Sequence, residues 1–153
     1  MNNLIFKTLS NKKEIELIDY IKNYLIMYPD TTIFIGTDSQ NQRTYTNYAS
    51  VIVLHNKTRG GHVIYTKRQL PKIYDKFVRL WNEIEFSLEI ADYLVANNVK
   101  KPDYIDLDLN PDPKYKSNDV LRAALGYVIG LGYNARCKPN AMSASYVADT
   151  LCK

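Results

Sequence analysis

Four carboxylates in this chain, Asp38, Glu83, Asp108 and Asp149, are the candidates for one acidic site at the end of a sheet. Asp38 closes the run TTIFIGTD, after six residues that carry no charge, and a bare carboxylate buried there would be expensive. Asp106 and Asp108 sit in YIDLDL, on one face of a short strand whose other face is Ile105, Leu107 and Leu109. Asp108 is nearer the carboxyl end of that strand and is the better partner for Asp38; Asp106 is a supporting or exposed residue. Of Glu83, Glu85 and Glu89, Glu83 lies one and two turns before the small residues Ser87 and Ala91, which let a helix approach a sheet closely. Asp149 stands near the carboxyl end of a short helix, the unfavourable end for an anion, in a stretch dense in small residues. Four such groups around one point would repel each other unless cations held them. Magnesium or manganese, two ions about 3.5–4 Å apart, would activate water against a phosphodiester and stabilise its leaving oxygen.

The elements that must carry these residues follow from the hydrophobic periodicity. Ser10 or Asn11 is expected to cap a first helix, with Glu14 near the capping-box position and Ile15, Ile18, Ile21 and Leu25 inward, ending at Pro29. Thr31–Asp38, Thr44–Leu54 and His62–Arg68 read as an antiparallel meander, with turns at Ser39–Arg43 and His55–Gly61. A long helix follows Pro71, with Phe77, Leu80, Ile84, Ser87, Leu88, Ala91, Leu94 and Val95 inward and Asn97–Asn98 as its exit. Tyr104–Leu109 is a strand. A helix capped by Ser117 or Asn118 and stopped by Gly132 comes next, then a strand at Tyr133–Lys138 and a helix at Ser143–Cys152. The expected architecture is α/β: a mixed five-stranded sheet, the three-strand meander plus two parallel strands, flanked by helices. In such sheets sites form beyond the carboxyl ends of the parallel strands. The 153 residues suit one domain, a helical extension at 1–29 and a core at 30–153.

Composition narrows the class. There is no apolar run long enough for a membrane span, and Met1–Thr8 lacks the pattern of a signal peptide. Cys137 and Cys152 have no CxxC or histidine neighbours, which favours a reducing cytoplasmic location over a disulfide or zinc framework. The net charge is +4, with Arg59, Lys67, Arg68, Lys72, Lys76 and Arg79 against Asp75 in one stretch that suits either a phosphate backbone or a solvated strand end and outer helix face. His55 and His62 flank the hairpin loop and read as ordinary polar groups of a hairpin. Tyr45, Tyr48 and Tyr65, among thirteen tyrosines, are candidate stacking surfaces.

The order of elements resembles the ribonuclease H-like superfamily. GTDSQ at Gly36–Gln40 is similar to its first-strand aspartate motif. NEIEFSLEIA at Asn82–Ala91, DLDLNPDPKYKSND at Asp106–Asp119 and KPNAMSASYVAD at Lys138–Asp149 resemble the YkuK-like family of that superfamily. The resemblance runs from about residue 30 to 153, and its two carboxyl-terminal motifs are fairly specific. It implies a metal site of Asp38, Glu83, Asp108 and Asp149, and a fold shared by nucleases; the family's activity is itself open. The Asp-x-Glu of proofreading exonucleases is missing, since Ser39 and Gln40 follow Asp38. The leading expectation is a two-metal nuclease acting on RNA, DNA or a hybrid, with Lys138, Arg68 and Lys72 on the substrate backbone. The alternative is a nucleic-acid-binding module without turnover.

Overall fold

The computed structural model describes residues 1, 3–109, 114, 118–137 and 143–153. Along the chain come β1 (Phe6–Thr8), β2 (Glu14–Ile15), α1 (Leu17–Met27), β3 (Thr32–Asn41), β4 (Tyr45–Asn56), β5 (Gly60–Pro71), α2 (Lys76–Ala96), β6 (Tyr104–Leu107), α3 (Asn118–Gly130), β7 (Ala135–Cys137) and α4 (Ser143–Cys152). One mixed sheet joins all the strands in the order β2-β1-β5-β4-β3-β6-β7. The β3–β4–β5 meander is antiparallel, and β6 and β7 run parallel to β3.

The sheet has seven strands among the described residues, against five expected, because the first fifteen residues are not helical. Asn11 does not cap a helix. Its Oδ1 accepts from Thr8 Oγ1 and, at 3.0 Å, from Lys13 N–H, and Lys12 takes a left-handed φ of 57°. These close a tight turn between β1 and β2, and β1 then adds to the edge of the sheet beside β5. Helix α1 is capped by Glu16, whose carboxylate accepts from Ile18 and Asp19 N–H.

The meander strands are longer than their hydrophobic runs. β3 continues three residues past Asp38, because Ser39, Gln40 and Asn41 keep their ladder partners Tyr48, Asn47 and Thr46. At the other end, pairing reaches Asn56 and Gly60, where Gly60 supplies a φ of +76°, and only residues 57–59 remain as loop. Leu54 opposes His62 and His55 opposes Gly61, so the two histidines lie on opposite faces. Helix α2 starts on an Asp75 cap and buries Leu80, Ile84, Ser87, Leu88, Ala91 and Leu94; Phe77 and Val95 at its two ends are exposed instead. β6 and β7 are shorter than their sequence patterns, and α3 leaves Ile129 outside the core.

Residue alternation gives the sheet two faces. Ile33, Ile35, Ile52, Leu54, Ile64, Ile105 and Leu107 pack under α1, α2 and α3. Phe34, Val51 and Val53 face the other way, onto Ala148, Val147 and Leu151 of α4. Among the described residues no helix is long and apolar enough to cross a membrane.

On the α4 face, β7 is held to β6 by an ion pair whose carboxylate is fully buried and whose guanidinium is partly exposed. Arg136 donates Nε to Asp106 Oδ1 at 3.0 Å and Nη2 to Oδ2 at 3.2 Å, and its guanidinium lies over the rings of Phe34 and Tyr104. Removing one partner of such a pair leaves the other charge uncompensated. Asp106→Ala is expected to cost about 3 kcal/mol of stability in urea denaturation, whereas an Asp106→Ala protein within about 0.5 kcal/mol of the parent would show the pair to be incidental.

Candidate metal and nucleic-acid site

The parallel register of β3 and β6 brings the first two carboxylates together. Phe34, Ile35 and Gly36 oppose Tyr104, Ile105 and Asp106. Carried two residues further, the same register sets Asp38 against Asp108, just past the end of β6. Asp38 projects to the α4 side and is almost fully buried. Asp149 comes down from α4, half-exposed and ion-paired to Lys153 at 3.0 Å, and forms a hydrogen bond with the Asp38 carboxyl. Glu83 arrives from the opposite face on α2 and is also buried.

Small hydroxyl residues let α2 come this close. Thr37 Oγ1 is 2.8 Å from both Ser50 Oγ and Ser87 Oγ, so strand and helix meet through hydrogen bonds where larger side chains would hold them apart. Ser39 then spans the two faces: its N–H donates to Asp38 Oδ1 at 2.8 Å and its hydroxyl donates to Glu83 Oε1. The Cys152 thiol donates to the Asp38 backbone carbonyl at 2.8 Å and ties the last turn of α4 to the same strand.

The electrostatics record the crowding. Burial pushes the Asp38 carboxyl up to about 7; the Ser39 N–H works against this, while the charges of Asp108 and Asp149 and the Asp149 hydrogen bond add to the rise. Burial likewise lifts Glu83 well above the ordinary carboxylate range. The Asp38 and Asp108 charges reinforce that shift, and the Ser39 hydroxyl and the Arg79 guanidinium oppose it. Burial, and then the Asp38 charge, raise Cys152 to about 12, so its thiol stays protonated as a donor.

A ribonuclease H-like family model matches residues 16–153. The chain belongs to the ribonuclease H-like family, of the YkuK type. No curated protein matches it. The five strands β3–β7 lie inside the matched segment, and β1 and β2 precede it, so the two additional strands extend the ribonuclease H-like sheet at its edge.

All four carboxylates named from sequence thus lie within electrostatic reach of Asp38 at one end of the ribonuclease H-like sheet. Their near neighbours are turned elsewhere: Asp106 to Arg136, Glu85 to the Tyr127 hydroxyl and Glu89 to Arg68. Of the basic residues, Lys138 lies outside the described residues. Arg68 is engaged within the protein, 2.7 Å from Glu89 and over the Phe86 ring. Lys72 reaches the Arg43 carbonyl at 3.5 Å and the Tyr74 ring. Tyr48 is 1% exposed and packs on Phe86, which removes it as a stacking surface. Ser39, Arg79 and Cys152 carry no sequence signal as site residues, since each acquires its role only where α2 or α4 meets β3.

Among the described residues no three His, Cys, Asp or Glu side chains form a ready ligand cage. The chemistry of the donors nevertheless fits a hard divalent cation. The set is all oxygen, and the charges of Asp108 and Asp149 raise the buried Asp38 carboxyl, a repulsion that a cation would relieve.

The raised Asp38 pKa has a defined consequence. Its stabilising contribution is complete below the unfolded value near 4 and is lost as pH rises through about 7. Metal-free protein is expected to lose about 5 °C or more of Tm over that window relative to Asp38→Asn, and magnesium or manganese is expected to restore it. Parallel Tm–pH curves for the two proteins in EDTA would contradict this.

Proposed function

We propose that the protein is a metal-dependent nuclease that hydrolyses phosphodiester bonds in RNA or DNA. The observation that carries the reading is the convergence of Asp38, Glu83, Asp108 and Asp149 at one end of a ribonuclease H-like sheet, with Asp38 and Glu83 buried against their own charge. Asp38 and Asp108 would hold two magnesium or manganese ions between them, with Glu83 and Asp149 completing the shell from either face. Ions bound there would supply Lewis-acid stabilisation of the phosphoryl oxygens and an activated water.

The chain's own residues do the rest. Ser39 fixes one oxygen each of Asp38 and Glu83, leaving their other oxygens for ligation. Arg79 offsets part of the negative charge at Glu83. Cys152 and the hydroxyl cluster of Thr37, Ser50 and Ser87 hold α4 and α2 at fixed distances from β3, so that the acids are set in place before substrate arrives.

The test is cleavage of labelled single-stranded, duplex, hybrid and branched substrates in magnesium or manganese. Cleavage that needs metal and falls at least about a hundredfold in both Asp38→Asn and Glu83→Gln is the expected result. Metal-independent cleavage, or activity surviving both substitutions, would count against the reading. Tight binding with no cleavage on any substrate would replace it with a binding module on the same fold.

A further inference from the structure

The α4 face of the sheet continues past the carboxylates as an open surface. Register assigns its rows. Asp38 opposes Ala49, Ala49 opposes Lys67, and the neighbouring Thr66 reaches the edge segment, its Oγ1 donating to the Ile5 carbonyl at 2.8 Å. The next row on this face is Gly36, Val51, Tyr65, Lys7 and Glu14. Helix α4 covers the part of this face over β3 and β4. Beyond it Lys67 is exposed, Tyr65 is half-buried, and Ile5 and Leu9 are 57% and 37% exposed. Lys67 has no ion-pair partner among the described residues, and the acid on this surface is Glu14, 3.7 Å from Lys7 at the outer edge.

Two strand spacings put the Lys67 backbone about 10 Å from that of Asp38. A lysine stem can cover much of that distance. The unpaired charge of Lys67, with the Glu14-paired Lys7 beyond it, beside a half-exposed ring and aliphatic side chains is a combination that binds a single strand, with phosphates on the lysines and base faces on the apolar groups. The basic stretch seen in sequence does not form this track as a whole, because strand alternation sends Arg68 to the other face, where Glu89 holds it.

We propose that a single-stranded segment of the nucleic-acid substrate runs from the Asp38 carboxylate across β4, β5 and β1, its backbone on Lys67 and Lys7 and a base against Tyr65 and Ile5. The inference rests on the nucleic-acid reading above and specifies its substrate as single-stranded where it leaves the site. A duplex would present its phosphates to the lysines but hide its base faces from Tyr65.

The experiment is fluorescence anisotropy with labelled single-stranded and duplex oligonucleotides over a range of salt, in the Asp38→Asn background to hold off turnover. Lys67→Glu is expected to weaken single-strand binding about tenfold, and the neutral Lys67→Gln to reduce the salt slope by about one. Tyr65→Leu, which keeps bulk against Val51, is expected to weaken single strands and spare duplex. Lys57→Glu, on the distant hairpin loop, is the unchanged control. Parent-like binding by Lys67→Glu, a duplex preference indifferent to Tyr65→Leu, or no nucleic-acid binding at all would each overturn the track. Cleavage by the unsubstituted protein that Lys67→Glu leaves untouched would sink the track and spare the nuclease; Lys67-dependent binding without cleavage would do the reverse.

Discussion

Negative charges that face each other at the end of a sheet repel more strongly as water is excluded, and that constraint organises this molecule. Asp38 and Glu83 are both buried, and the Asp38 charge makes Glu83 harder still to ionise. A fold built only for stability would place apolar groups at these positions. Here the surrounding structure supports the acids. Ser39 donates to both of them, Arg79 offsets one, and the Cys152 thiol ties the helix that carries Asp149 to the strand that carries Asp38.

The two faces of the sheet divide the work. On one, aliphatic packing under α1, α2 and α3 makes a rigid platform, interrupted at the carboxylate end by the Thr37, Ser50 and Ser87 hydroxyls that set the depth of α2. On the other, a smaller cluster seats α4, and the Arg136–Asp106 pair locks β7 beside β6. The polar groups concentrate where α2 and α4 meet β3 around the carboxylates, and apolar packing takes over away from them.

Much of this is legible in residue patterns. The meander, both parallel strands and the bounds of α4 follow from period-two and period-3.6 repeats with Gly, Pro and Asn punctuation; the four acids are singled out only with the help of the family resemblance, because their spacing along the chain is not specific. Strand alternation also puts Asp106 and Asp108 on one face, but cannot say that Arg136 claims the first of them, because that depends on the β6–β7 register. The short β1 and β2 escape such a reading because three- and two-residue strands carry almost no periodicity, and Asn11 suits a tight turn as well as a helix cap. The polar strand end at Ser39–Asn41 has the composition of a turn, yet its ladder bonds to β4 do not depend on side-chain hydrophobicity. Arg68 shows the limit of reading charge along the chain: neighbours in sequence, Lys67 and Arg68 belong to opposite faces of the molecule.

If cations complete this site, they must displace protons that the buried acids otherwise retain near neutrality. Calorimetric titration of the metal-free protein with manganese at a pH of about 6.5, in two buffers of different ionisation enthalpy, measures that exchange directly. Binding is expected with net proton release, and both are expected to be lost in Asp38→Asn. Absence of binding, or binding with no proton release, would contradict the claim that Asp38, Glu83, Asp108 and Asp149 are gathered to hold metal.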